Sequence, residues 1–494
     1  MVAIGIYCRK HTSGINNFVL GGRSVGPWLT AFAYGTSYFS AVVFIGYAGQ
    51  FGWKYGIAAT WAGIGNAILG SLLVWVVLGR RTRIMTQHFD STTMPQFFGQ
   101  RFQSPPLKIG ASIIIFIFLI PYTASLFNGL SRLFGMAFNI DYTVCIILMG
   151  VLTGIYVIAG GYMATAINDF VQGCIMLVGI CAVVGAILNT QGGFSEALHN
   201  LAAVSDSTTT NGDVPGIYAS FFGPEPVNLL GVVLLTSLGT WGLPQMVQKF
   251  YAIKSEDAIH KGTVISTIFA LVVSGGCYFM GGFGRLFSDQ VDVATEGYDA
   301  IVPTMLSNLP ELLIAIVVIL VLSASMSTLS ALVMTSSSTI TLDLLKGNMV
   351  KKMNDFQAVF IIRCFIVVFI IISMVIAIIQ YKYSISFIAQ LMGVSWGALA
   401  GAFLAPFLYS LYWKKATKAA CWASFLFGAG VMSLNLLSNA TGLFAFPALL
   451  QSSINCGAFV MLAGLVIVPV VSLFTRKPDA AMVDEAYACY EKKA

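Results

Sequence analysis

The sequence predicts an all-α polytopic membrane protein, and three observations carry that reading. Of 494 residues, 57% are hydrophobic and only 9% charged, whereas a soluble domain carries roughly 25% charged residues. Charge-free apolar runs repeatedly reach the ~20 residues that a helical span needs. The loops between those runs alternate in the sign of their charge. The net charge of +6 is small for this length and sits in short loops, a pattern of membrane orientation and not of nucleic-acid binding.

Apolar runs set against polar punctuation give twelve full spans. They lie near 27–51, 57–79, 109–137, 141–160, 163–189 and 227–251, then 262–285, 312–341, 357–380, 384–413, 417–438 and 447–475. A short apolar stretch, MVAIGIY, precedes them and is followed at once by CRK. A signal peptide places its positive charges before its apolar run. Residues 1–26 therefore read as a truncated first helix and a cytoplasmic linker. RRTR (80–83), Lys249 with Lys254 and Lys261, KGNMVKK (346–352), WKKATK (413–418) and RK (476–477) fall in loops on one side. The other side holds Glu196, Asp206, Asp213 and Glu225, then Asp289, Asp292, Glu296 and Asp299. By the positive-inside rule the basic set is cytoplasmic. The expectation is a multi-pass plasma-membrane protein with its C terminus in the cytoplasm.

The segments at 27–51 and 227–251 share a feature. Each carries a polar, glycine-containing interruption, YGTSYFS (34–40) and SLGTWGLP (237–244). Each also opens a group of five spans, so the second group enters the bilayer from the opposite face. Residues 27–190 and 227–413 then form an inverted repeat with discontinuous helices at matching positions. An extracellular loop, 191–226, joins them, and two C-terminal helices with a short tail, 414–494, follow. A packing glycine or a proline kink accounts for either break alone; the matched positions favour unwound helices.

The stretch LSASMSTLSALVMTSSSTITLDLLK (322–346) is the most unusual. Eleven of the nineteen residues from Ser323 to Thr341 are Ser or Thr, inside a run that should cross the bilayer. Such hydroxyls can bond back to the carbonyl four residues earlier, and small residues let helices approach closely. A tightly packed central helix is the plain reading. Phase adds a sharper one: Ala324, Ser327 and Thr328 share one face, with Ser330 and Ala331 extending it. Na⁺ is a hard cation that neutral hydroxyls and free carbonyls can satisfy, and an unwound YGTSYFS segment supplies such carbonyls.

Other candidates are single residues. Asp169 is the only acidic residue between Asp141 and Glu196, and a carboxylate within a span is functional by default unless it caps or snorkels at the interface. Arg132 and Arg363 also fall within spans, where snorkelling or pairing explains them. Tyr38, Trp241, Tyr122 and Trp396 lie near the breaks or in facing spans, where rings shape a small-solute cavity or simply pack. Nine cysteines include no CxxC pair, and four histidines are scattered, so ordinary apolar packing is expected and no metal cluster.

Together, FVLGGRSVGPWLTAF, GTSYFS, IAGGYMATAINDFVQG, SLGTWGLPQMVQKF and SASMSTLSALVMTSSSTITLDL resemble the sodium:solute symporter family, over nearly the whole chain from Phe18. The nearest likeness is to the bacterial proline and pantothenate branch, whose members carry one further helix before the twelve, starting outside. The resemblance implies the leucine-transporter-type fold, with two inverted five-helix repeats plus flanking helices. It implies a Na⁺ site formed by the carbonyls of Thr36, Phe39 and Ala324 and the hydroxyls of Ser327 and Thr328. It also implies, for some members, a second Na⁺ held by Asp169, Ser327, Ser330 and position 331. Position 331 is Ala, where second-site members have a hydroxyl. Proline symporters carry an Asp at the position of Tyr38, which argues against assuming proline.

The expected function is Na⁺-coupled symport of a small organic solute (amino acid, vitamin or carboxylate) into the cell by alternating access. Solute is expected against Ser37, Tyr38, Ser40 and Trp241, with Tyr122 and Trp396 shaping the cavity. Its partners would be the solute, sodium and the lipid bilayer, with no nucleic acid and no obligatory protein partner. A sugar or sialic-acid symporter of the same fold is the alternative. A non-transporting solute sensor is another, though the tail after Phe474 is too short to hold a signalling domain. No HExxH motif or paired acidic site points to an enzyme.

Overall fold

The computed structural model describes residues 1–9, 12, 14–138, 140–346, 349–350, 352–383 and 388–491. The side chains of Arg132, Met136 and Phe138, and the first residues of the 384–413 span, lie outside that description. Among the described residues nine helices are long and apolar enough to cross a bilayer, and ten when the bent pair Pro226–Gly242 and Pro244–Ala252 counts as one. Two merged elements hide the remaining spans. Tyr142–Thr190 runs for 49 residues, which as one straight helix would be ~75 Å long, against ~30 Å of hydrocarbon. Gly161 interrupts it at φ 56°, ψ −152°, between the expected spans 141–160 and 163–189. Val42–His88 is divided in the same way at Gly56, φ 62°. Any side chain at Gly56 would begin 2.0 Å from the carbonyl oxygen of Tyr218. Divided there, the elements correspond to the twelve spans read from the sequence.

Both broken helices stop for visible reasons. The first, Pro27–Tyr38, ends with Phe39 N–H on Gly35 O at 3.1 Å, and Phe39 is extended at φ −101°, ψ 120°. Ser40 then restarts the chain: its carbonyl accepts from Val43 and Phe44, and its hydroxyl from Val42 N at 3.2 Å. A wide helical turn, Val42–Tyr47, leads into Ala48–Tyr55. The second, Pro226–Gly242, ends with Leu243 N–H on Gly239 O at 3.2 Å, and Leu243 is extended at φ −75°, ψ 122°. Pro244 follows, and proline excludes the residue before it from helical geometry while offering no N–H. The chain bends by 45° there. The same device, an i to i−4 bond and then one extended residue, thus closes both helices.

The hydroxyl-rich segment is a helix, Glu311–Thr339, continued by a wide turn to Leu345. Every residue from Ser323 to Thr341 is buried. Close approach makes room for this helix: a Cβ on Gly179 would sit 2.5 Å from Leu320. Outward faces carry large apolar side chains such as Val178, Val264, Leu426 and Val466, as a lipid-facing surface does. The loops sort into two ends. At the basic end Arg83 Nε donates to Ile253 O at 3.0 Å, Arg81 to Leu411 O at 2.8 Å, and Tyr490 OH to Arg81 O at 3.1 Å. At the other end Arg285 meets Asp206 at 2.9 Å and Trp61 donates to Phe221 O at 2.9 Å.

Lys249 departs from its sequence assignment. It does not belong to a basic loop: it lies on Pro244–Ala252, 3% exposed, inside the molecule. Pro244 opens a helix too short to register as a span, and so its cation reads as a loop charge.

Candidate functional site

The first break brings oxygens together. Thr328 Oγ1 donates 3.0 Å to Thr36 O and also lies 3.2 Å from Ala324 O. These three oxygens come from the hydroxyl-rich helix and from the last turn of Pro27–Tyr38. Phe39 O is released as well, because Val43 N–H, its helical partner, bonds Ser40 O at 3.1 Å instead. Thr36, Phe39, Ala324 and Thr328 are all buried. Neutral oxygens from two elements, one of them unwound, suit a hard monovalent cation.

One turn away the chemistry is charged. Ser327 Oγ donates to Asp169 Oδ1 at 2.6 Å, and Ser330 Oγ to Ser327 O at 2.8 Å. Asp169 is fully buried, so it neither caps nor snorkels. Its Oδ2 lies 4.0 Å from Lys249 Nζ, an ion pair too long to be a hydrogen bond, and that oxygen has no hydrogen-bond partner. Lys249 also lies over the ring of Tyr162, 5.2 Å from its centre. Sequence reasoning missed Lys249. The signal available was the cost of a lone buried carboxylate, which demands a counter-ion.

The aromatic candidates divide. Tyr38 stacks on Trp396 at 5.5 Å and 21°, and Tyr122 meets Trp396 edge-on at 5.9 Å. Tyr38 OH donates to Thr236 O, joining the two broken helices. A Cβ on Gly239 would sit 2.4 Å from Trp396, so the indole rests directly on the second break. Ser37 Oγ is buried without a hydrogen-bond partner, and the buried Tyr122 hydroxyl faces Ser40 and Trp396. Trp241 is not brought to this cluster: its indole donates 2.9 Å to Leu69 O and is only partly buried. Ser40 is occupied with its own backbone. Arg363 lies over Phe18, 5.3 Å from the ring centre and away from both breaks. GVSWG (393–397) has the spacing of a hydrolase nucleophile motif, but it lies inside the helix Ile388–Tyr412, and Ser395 donates to Phe118 O at 2.5 Å. Among the described residues no His, Cys, Asp and Glu cluster could hold a metal, and no disulfide joins the cysteines.

The family model for the sodium:solute symporter family matches residues 18–428. The chain belongs to the sodium:solute symporter family. It is 28% identical over 489 residues to the osmoregulated proline transporter OpuE of Bacillus subtilis (strain 168), covering 97% of this chain and 94% of that protein. It is 29% identical over 496 residues to a sodium/proline symporter of Staphylococcus aureus (strain JH9), covering 97% and 91%. Its fold matches the substrate-bound outward-open state of a Na⁺-coupled sialic acid symporter, with a TM-score of 0.76 at 16% identity over 97% of this chain and 96% of that one. A closed conformation of the nucleobase-cation-symport-1 transporter Mhp1 matches at a TM-score of 0.50 and 13% identity, covering 94% and 97%. The architecture is the leucine-transporter-type fold, and this membrane protein is a Na⁺-coupled transporter of a small solute, not an enzyme.

Proposed function

We propose that this symporter brings a small organic solute of the amino-acid class into the cell with one Na⁺, by alternating access across the plasma membrane, its C terminus cytoplasmic. The observation that carries the sodium assignment is the convergence of Thr328 Oγ1, Thr36 O and Ala324 O within 3.2 Å, with Phe39 O freed beside them and Ser327 on the same helix face. Sodium there would hold the broken helix against the hydroxyl-rich helix, and its loss to a low-sodium cytoplasm would loosen the two. The membrane potential adds ~2.3 kcal/mol per charge per 100 mV, about fifty-fold in accumulation.

Solute is assigned to Ser37, Tyr38, Tyr122 and Trp396, whose buried polar atoms and packed rings gather at the two breaks. The amino-acid class rests on the proline transporters to which 97% of the chain is similar. Proline itself is not assumed, because Tyr38 replaces a carboxylate. Asp169, Ser327 and Ser330 form the second reading, another Na⁺ site, which Asp169 Oδ2 favours by having no hydrogen-bond partner. Against it, Lys249 already supplies a positive charge there and Ala331 offers no hydroxyl.

Thr328→Ala and Ser327→Ala in proteoliposomes test the first site. Loss of a charge-linked oxygen costs ~1.5–3 kcal/mol, so half-saturating sodium should rise by at least about tenfold in Thr328→Ala. Unchanged sodium dependence in both variants would sink the assignment. A thermal-shift screen of amino acids, vitamins, carboxylates and sugars, with and without sodium, identifies the solute.

A further inference from the structure

An open groove of about 630 Å³ runs between the N-terminal helix Val2–Cys8, the Tyr142–Gly160 segment and the helix Asp355–Tyr383. Its walls are apolar, with Val151, Ile155, Ile158, Val367 and Ile371 among them, and it also takes in Arg9 and Arg363. From Gly150 to Ala159 the wall extends ~14 Å at 1.5 Å per residue. That is about the depth of one leaflet, half of the ~30 Å hydrocarbon core. A second recess of about 420 Å³ shares the two arginines and continues past Thr12 and Gly14. The guanidiniums therefore stand where the apolar groove meets the polar surface, at the basic end of the spans.

The charges there are unbalanced. Among the described residues no carboxylate lines either cavity. Arg363 Nε is buried with no hydrogen-bond partner, and Arg9 is exposed at the mouth. Two fork-shaped donors that suit phosphate stand at the foot of a slot as long as an acyl chain. Neither feature serves the sodium or solute sites, which lie on other elements.

We infer that the groove binds an anionic glycerophospholipid, with its phosphate between Arg9 and Arg363 and one acyl chain laid along the wall toward Gly150. Basic pockets between spans on the side where anionic lipids concentrate recognise such headgroups. The neutral groove alone would take any chain; the arginine pair selects for negative charge.

The test uses the full purified chain in detergent, with thermal unfolding and native mass spectrometry. Phosphatidylglycerol should raise the melting temperature above that seen with phosphatidylcholine and should remain bound in the mass spectrum. Arg9→Gln with Arg363→Gln should weaken phosphatidylglycerol binding by about tenfold or more, since both charged donors to the phosphate are then lost. Gly154→Leu should block the same binding by filling the groove; its Cβ makes only ordinary contact with Ile370 at 3.6 Å. If Arg363→Gln fails to fold, Arg9→Gln and Gly154→Leu carry the test. Equal stabilisation by the two lipids overturns the proposal, as does inorganic phosphate reproducing the shift. So does a phosphatidylglycerol preference untouched by either kind of variant, or a second copy of the chain found in place of lipid. Sodium-dependent uptake in phosphatidylcholine vesicles should persist in the variants, which separates this site from the transport reading.

Discussion

Asp169 and Lys249 are a pair whose energetics are decided by burial. Both are almost fully removed from solvent and stand 4.0 Å apart. Taking two charges out of lipid-free water is expensive, and removing one partner strands the other, at a cost of ~3–5 kcal/mol. Asp169→Asn should therefore destabilise the sodium-free protein by about that amount. Adding Lys249→Gln should restore most of it, because no charge is then left alone. Chemical denaturation in sodium-free detergent reads both. A double variant as unstable as Asp169→Asn would mean that the 4.0 Å contact carries no energy. A separate readout addresses the ion: if Asp169 serves only to neutralise Lys249, the double variant keeps the sodium stoichiometry of uptake.

At the scale of the element, the breaks were legible because glycine and proline mark them. YGTSYFS and SLGTWGLP announce where helices stop, and Pro244 enforces the second stop chemically. Helix phase likewise anticipated that Thr328 and Ala324 would share a face, and Thr36 meets them there. Side-chain direction was not legible. Trp241 and Trp396 look alike in sequence, yet one turns to Leu69 O and the other lies between Tyr38 and Gly239. Which of the two rings faces the break depends on how Ile388–Tyr412, which carries Trp396, packs on Pro226–Gly242, remote from it in sequence. Lys249 stayed hidden for the same kind of reason, since only the fold shows that its short helix is enclosed. Gly239→Ala tests the break directly: overpacking against Trp396 should cost ~1–3 kcal/mol and weaken solute binding. Gly430→Ala is the contrast. Nothing lies within 4 Å of its new methyl, and a helical glycine replaced by alanine gains up to ~1 kcal/mol. Melting temperatures moving in the same direction would refute the role given to close approach at Gly239.

For the whole molecule, Arg285 gathers several contacts at the end remote from the basic loops. Arg285 lies over Tyr218 at 4.0 Å and Trp53 at 5.0 Å, donates to Trp53 O at 2.6 Å, and pairs with Asp206 at 2.9 Å. It thereby ties the 191–226 loop to the helix that follows the first break. A fold that works by alternating access must loosen such a fastening when that side opens, so its strength biases the populations. Partial burial pushes the Asp206 carboxyl up, but bonds from Thr208 and the Arg285 guanidinium outweigh this and hold it below the ordinary value. A carboxyl depressed on folding stabilises fully above its unfolded pKa, ~3.9, and that contribution is lost as pH falls through the lower folded value. Between pH 7 and 5 the melting temperature should therefore owe nothing to this group's titration. From about pH 4 downward the wild-type protein should lose stability that Asp206→Asn does not lose. Arg285→Gln should lower the melting temperature already at pH 7 and flatten the acid-side loss, because Asp206 then has less to give up. If Asp206→Asn follows the wild-type curve below pH 4, the Asp206 pair adds nothing to the fastening, and the ring contacts and the bond to Trp53 O hold the loop without it.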